Sequence, residues 1–275
     1  MTGPRVAVVF GGGGAKAAAH LGAAVALAEA GITPVRWVGT SMGSVVAAAM
    51  AAGRDPVALL GEFAAVRRRD VLRREPLALL KGIWAPAIFR ADALAALIGR
   101  LVPARSFAEL HAPLTVTAVE RDTGTIVAFG HGGEAAPLPE VLLASCALPP
   151  WFRPVTVNGR ALYDGGIRAP LPLMVVESAD VDWVLAVDVG PGFDETGTPV
   201  LAPPPLVAAA DTAIGWLMAG TTRLLRERWA TRPDAPPLVY VRPVSDRGAT
   251  FALDRIGEYG RAGARAVREV LKEIG

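Results

Sequence analysis

Short apolar runs alternate along this chain with longer Ala- and Leu-rich stretches, and the two kinds of pattern predict two kinds of element. Runs over 5–10, 35–39, 114–119, 125–129, 184–189 and 238–241 are rich in Val, Ile and Phe and read as strands, with a further short strand over 160–163. The stretches over 16–30, 44–52, 56–66, 91–101, 139–146, 206–229 and 254–274 read as helices. In the last of these, Ile256, Ala264, Val267 and Leu271 recur at helical spacing between charges, the signature of an amphipathic helix laid on a sheet. Strands alternating with helices predict the α/β class: a doubly wound, mostly parallel sheet flanked by helices on both faces.

The punctuation between elements bears on domain count. Two loops stand out, 190–205 and 231–237, and neither has the charge or length of an interdomain linker. No internal repeat is visible, so the 275 residues are expected to form a single domain, 1–275. A hydrophobic content of 52% places the chain among globular proteins. Lys+Arg 28 against Asp+Glu 26 gives a net charge of +2, so the basic pI is not a nucleic-acid footprint and no nucleic-acid partner is expected. Cys146 is the sole cysteine, which excludes an internal disulfide and allows a reducing compartment. The apolar run at 6–10 is too short for a signal peptide. The longest span candidate, 206–222, is interrupted by Asp211, so a cytoplasmic protein is expected.

The chemistry begins at Gly39-Thr40-Ser41-Met42-Gly43, a G-x-S-x-G between a β-prone segment and an Ala-rich helix. A turn this sharp from strand to helix needs small residues at both ends, and Gly39 and Gly43 supply them while Ser41 stands at the tip as a nucleophile. A second signal is the run Gly11-Gly12-Gly13-Gly14-Ala15-Lys16 at the end of the first strand. Successive glycines before a helix turn backbone N–H groups outward and form an anion site. As a dinucleotide fingerprint it lacks the acidic residue at the end of strand two, and as a P-loop it fails because Ala17 follows Lys16. An oxyanion hole for acyl transfer accounts for the glycine run and the serine together. The proton acceptor is less obvious. His20, His111 and His131 are the only histidines, none follows residue 131, and the late histidine of α/β-hydrolases is missing. His20 reads as a packed structural residue. Tyr163-Asp164-Gly165-Gly166 reads in isolation as a turn, but beside a serine elbow with no suitable histidine it offers Asp164 as the base.

These three pieces, in this order, resemble the patatin-like phospholipase family, and the resemblance spans roughly residues 5–190. The segment Gly11 to Gly22 is similar to the family's first block, and Ala144-Ser145-Cys146-Ala147-Leu148-Pro149-Pro150-Trp151-Phe152 is similar to the one preceding its aspartate motif. The resemblance implies a lipid acyl hydrolase (phospholipase A, lysophospholipase or carboxylesterase) with a Ser-Asp dyad and no histidine. Carried over by position, Ser41 is the nucleophile and Asp164 the base. Gly12, Gly13 and Gly14, joined by Met42, supply the oxyanion hole. Gly11, Lys16, Gly39, Gly43, Gly165 and Gly166 support the motifs. Ala17 and Ala169 depart from the family's usual glycine and asparagine. A non-catalytic or regulatory lipid-binding module on the same fold is the alternative.

A lipid or ester substrate requires apolar walls and access to an interface. Trp151 and Phe152 are the candidate acyl-pocket residues. Arg67, Arg68, Arg69, Arg73 and Arg74, followed by an apolar stretch over 79–89 that contains Trp84 and Phe89, are candidates for peripheral membrane contact. No spacing of His, Asp or Glu fits a metal-ligand set, and no cofactor is expected.

Overall fold

The computed structural model describes residues 3–73, 84–85, 87–177, 181–195, 205–246 and 249–274. Its centre is an eight-stranded mixed sheet: β1 (Val6–Phe10), β2 (Arg36–Thr40), β3 (Leu114–Glu120), β4 (Ile126–Gly130), β5 (Val155–Val157), β6 (Arg160–Asp164), β7 (Trp183–Val187) and β8 (Leu238–Val241). The order is β5-β6-β3-β2-β1-β7-β8, with β4 paired to β3. The five strands from β3 to β8 in this order run parallel, and β4, β5 and β6 are antiparallel additions at one end. Every residue of β1 and β2 is buried, as a parallel sheet covered on both faces requires. Along β1, Val6, Val8 and Phe10 enter one core while Ala7 and Val9 enter the other.

The first face carries α1 (Ala18–Glu29), α2 (Met42–Ala51), α3 (Pro56–Ala64), α4 (Ala91–Leu101) and α5 (Leu138–Ser145). The second is covered by residues 171–176 and by Trp229, near the end of the long helix α6 (Pro205–Thr231). The last helix, α7 (Ile256–Ile274), is amphipathic as its pattern predicts, but it packs chiefly along α1, with a smaller contact to the sheet at β8. The contact is backbone-close: a Cβ on Gly22 would strike Gly260, and one on Gly263 would strike Ala19. The helix predicted from residue 16 starts instead as a 3-10 turn, Gly14–Ala17, before α1 takes over. Strand β5 is not in the sequence prediction. Its signal is Asn158-Gly159, both at positive φ (49° and 77°), the two-residue turn that closes a hairpin onto β6.

One edge of β3 positions the site. β4 pairs with Thr115 to Val119 along one side of β3. On the other side β2 pairs as far as Thr40 opposite Thr117, and β6 pairs from Asp164 opposite Ala118. β2 and β6 therefore share a single edge end to end, and the chain leaves β2 just where β6 arrives. Ser41 and Asp164 meet at that junction.

Candidate active site

Ser41 sits between β2 and α2 with φ 53° and ψ −139°, a conformation that a side chain rarely adopts and that costs about 1–3 kcal/mol. Hydrogen bonds on both sides of the residue hold it there. Its N–H donates to Ser145 Oγ at 2.8 Å, and the Ser145 hydroxyl donates in turn to the Thr117 carbonyl at 2.8 Å. The Ser44 hydroxyl donates to the Ser41 carbonyl at 2.6 Å. The flanking glycines are required by close approach: a Cβ on Gly39 would lie 2.5 Å from Ser44 Cα, and one on Gly43 2.6 Å from the Phe10 carbonyl.

The Ser41 hydroxyl donates to Asp164 Oδ2 at 2.7 Å. Asp164 is only 2% exposed, and its other oxygen, Oδ1, accepts the Gly166 N–H at 2.7 Å. Burial raises its pKa from 3.8 to about 7, against the opposing pull of the Ser41 and Gly166 donors. That is the range of a base that exchanges protons near neutrality. Cys146 lies in the same environment, where burial and the Asp164 charge push its thiol well above its ordinary value.

The glycine run lies beside the serine at the ends of β1 and β7, where the strand order reverses, the place at which open α/β sheets form their crevices. Gly13 and Gly14 open the 3-10 turn and Met42 opens α2, so none of these three N–H groups has an intrahelical acceptor. Gly14 has φ +56°. Gly12 departs from the expectation for an oxyanion donor: its N–H donates to the Pro170 carbonyl at 2.9 Å, which fixes the loop but commits that hydrogen. Gly11 likewise donates to the Val187 carbonyl at 3.0 Å.

Two buried side chains brace this loop. His20 is fully buried, stacked on Phe10 at 4.4 Å between ring centroids, and burial lowers its pKa to about 4. The neutral ring donates from Nε2 to the Gly11 carbonyl at 2.8 Å, so it shapes the loop. Lys16 is also buried. Its ammonium donates to the Asp246 carbonyl at 3.2 Å and to Glu195 Oε1 at 3.3 Å, tying the run to the segments that follow β8 and β7. Desolvation lowers the Lys16 pKa, while Glu195 pulls it up. His111 packs against Gly53, and His131 follows β4.

Ser41 and Asp164 open into a cavity of about 190 Å³ whose walls are mostly apolar: Phe63, Leu94, Leu97, Trp151, Phe152 and Phe251 contribute. Trp151 and Phe152 thus line it alongside Gly12, Gly13, Gly14 and Met42. Phe89 is buried behind them, stacked on Trp151 at 5.7 Å, so it cannot serve as a membrane contact; its place in the sequence beside Arg and Trp was the misleading signal. Trp84 is 83% exposed and Arg67, Arg68 and Arg69 are exposed, whereas Arg74 and residues 79–83 lie outside the described residues. The sequence does not disclose the roles of Ser145 and Pro170, which act through hydrogen bonds to distant backbone: Ser145 bridges the Ser41 N–H and the Thr117 carbonyl, and Pro170 accepts the Gly12 N–H. Nor does it disclose that of Asp211 on α6, whose Oδ1 accepts the Trp151 indole N–H at 3.3 Å. Among the described residues no group of three His, Cys, Asp or Glu side chains is placed to hold a metal ion, and no helix is long and apolar enough to cross a membrane.

A family model described as patatin-like phospholipase matches residues 8–176. An uncharacterized NTE family protein of Mycobacterium tuberculosis is 36% identical over 200 residues, covering 70% of this chain and 52% of that protein. Human patatin-like phospholipase domain-containing protein 6 is 27% identical over 255 residues, covering 88% of this chain and 16% of its own length. The chain therefore spans about half of the first of these relatives and a smaller share of the second. In structure, VipD from Legionella pneumophila superposes with a TM-score of 0.53 at 14% identity, covering 98% of this chain and 67% of that one, a likeness of fold.

Proposed function

This chain belongs to the patatin-like phospholipase family, and from that premise we propose that it hydrolyses acyl esters of lipids through an acyl-enzyme on Ser41. One observation carries the reading: a hydroxyl in a strained elbow donates at 2.7 Å to a buried carboxylate at the head of an apolar cavity. As Ser41 Oγ attacks the ester carbonyl carbon, its proton passes to Asp164 Oδ2. The oxyanion of the tetrahedral intermediate is met by the Gly13, Gly14 and Met42 N–H groups, donors already fixed in place before reaction. The intermediate collapses to the acyl-enzyme, and the leaving alcohol takes the proton from Asp164. Water then repeats the sequence, giving its proton to Asp164, and the Ser41 oxygen recovers a proton as the fatty acid leaves.

The apolar walls favour an acyl chain over a polar acid, and a ligand-binding role without turnover gives no reason for the strain at Ser41. The test is hydrolysis of p-nitrophenyl esters across acyl lengths by wild type and Ser41→Ala, with fluorophosphonate labelling read by mass spectrometry. Turnover and a label on Ser41, both lost in the variant, support the reading. Labelling elsewhere, or turnover that survives Ser41→Ala, overturns it. Tight lipid binding with neither turnover nor label favours the non-catalytic module.

A further inference from the structure

The long helix α6 has two roles in the structure, and only one is accounted for by the cavity. Asp211, Ile214, Trp216 and Met218 line the space above the dyad. On the outside of the same helix, Leu206, Leu217 and Leu224 are 72%, 70% and 60% exposed. Spacings of four, three, four and seven put Leu206, Ala210, Ala213, Leu217 and Leu224 on one face, and Ala210 and Ala213 are exposed as well. Trp216, 58% exposed, joins this face to the cavity, and Phe193, 64% exposed, lies under the Arg223 guanidinium at its end. Folding alone gives no reason to leave such a stripe bare.

We propose that this face of α6 seats the protein on a lipid surface, so that acyl chains enter the cavity past Trp216 directly from the bilayer. The inference rests on the hydrolase reading above. Charge favours this occupant: over 205–222 the only ionisable group is Asp211, which is turned inward onto Trp151, and the next turns carry Arg223, Arg226 and Arg228 against one Glu227. An uncharged apolar face bordered by arginines matches an acyl boundary beneath anionic headgroups. Position favours it too, since a second protein molecule seated here would cover the mouth that a lipid surface would supply. The Arg67–Arg69 segment then becomes secondary.

The experiment is co-sedimentation with phosphatidylcholine vesicles and with mixed phosphatidylcholine–phosphatidylglycerol vesicles. It compares wild type with the triple variant Leu206→Ser, Leu217→Ser, Leu224→Ser and with the triple Met replacement at the same positions. None of the three leucines lines the cavity, so hydrolysis of a soluble p-nitrophenyl ester reports separately on the catalytic reading. The serine variant is expected to partition at least about ten-fold more weakly, the scale of withdrawing three leucines from the acyl boundary, while the methionine variant binds as wild type does. Soluble-ester turnover by a wild type that ignores both kinds of vesicle overturns the docking proposal and leaves the hydrolase reading standing. Unchanged binding by the serine variant overturns it, as does loss of binding on replacing Arg67, Arg68 and Arg69 alone. A wild-type dimer that the serine variant abolishes assigns the face to a second copy, which also overturns it.

Discussion

Replacing Asp164 by Asn separates the proposed catalytic role of the carboxylate from what it costs the fold. The side chain keeps its shape: an amide oxygen still accepts the Gly166 N–H, and the amide nitrogen takes the place of Oδ2 beside Ser41 Oγ. What disappears is the proposed proton acceptor, and kcat is expected to fall by about 10²–10⁴-fold, the scale of losing a general base. Stability moves the other way. The folded-state pKa of Asp164 is raised from 3.8 to about 7 because the ionised group is buried. Between those values the native state holds a proton that the unfolded state releases, so stability falls as pH rises through this window. At about 1.4 kcal/mol per pH unit, the penalty reaches roughly 4 kcal/mol at the top of the window. The amide of the variant never ionises and escapes it. Urea titrations of wild type and variant at about pH 5 and about pH 9 are expected to show the variant's advantage growing with pH, by at least about 1 kcal/mol. An advantage that is the same at both pH values, or a variant that hydrolyses esters at the wild-type rate, would refute the assignment of Asp164 as a buried, titrating base.

Three further expectations follow from the same geometry. The kcat/KM of wild type for a soluble ester is expected to rise with pH through a midpoint near 7, where Asp164 gives up its proton, and to level off above; a flat profile across that range contradicts the role. Gly43→Ala places a methyl 2.6 Å from the Phe10 carbonyl and is expected to destabilise by about 1–3 kcal/mol, seen as a lower Tm in differential scanning fluorimetry. His20→Leu leaves the Gly11 carbonyl without its donor and is expected to lose about 1–3 kcal/mol in urea unfolding, with part recovered by His20→Gln; because His20 is neutral above about pH 4, the loss should not change between neutral and alkaline pH.

The residues legible in the sequence were those whose chemistry depends on near neighbours. Gly39 and Gly43 bracket Ser41 because strand and helix approach there, and that requirement is written in five consecutive letters. Sheet strands with continuous apolar runs, such as Val6–Phe10 and Trp183–Val187, were equally plain. The polar braces were not, because their partners lie far away in sequence. Ser145 serves a residue 104 positions earlier, and although its segment resembles a family block, its neighbours do not reveal that partner. Gly12 was misjudged as a donor because a glycine run shows where N–H groups can point, whereas the carbonyl that claims one of them comes from residue 170. Phe89 was misread for a related cause: an aromatic among basic residues looks the same whether it meets lipid or Trp151.

The end-to-end arrangement of β2 and β6 on one edge of β3 also has a bearing on how the protein reaches its working form. Ser41 and Asp164 are 123 residues apart, and the path between them passes through the helices α2 to α5 and the strands β3, β4 and β5 before the chain returns to that edge. No local segment can bring the pair together, so the loop-closure entropy of the whole excursion must be overcome first. On the proposed role of Ser41, refolding chains are therefore expected to acquire helical circular dichroism before they acquire reactivity toward a fluorophosphonate, and labelling that appears with the helical signal would contradict this order. Labelling of Ser41 becomes a stringent clock for the completed sheet, sensitive to late-forming edge pairing that spectroscopic probes of helix content pass over.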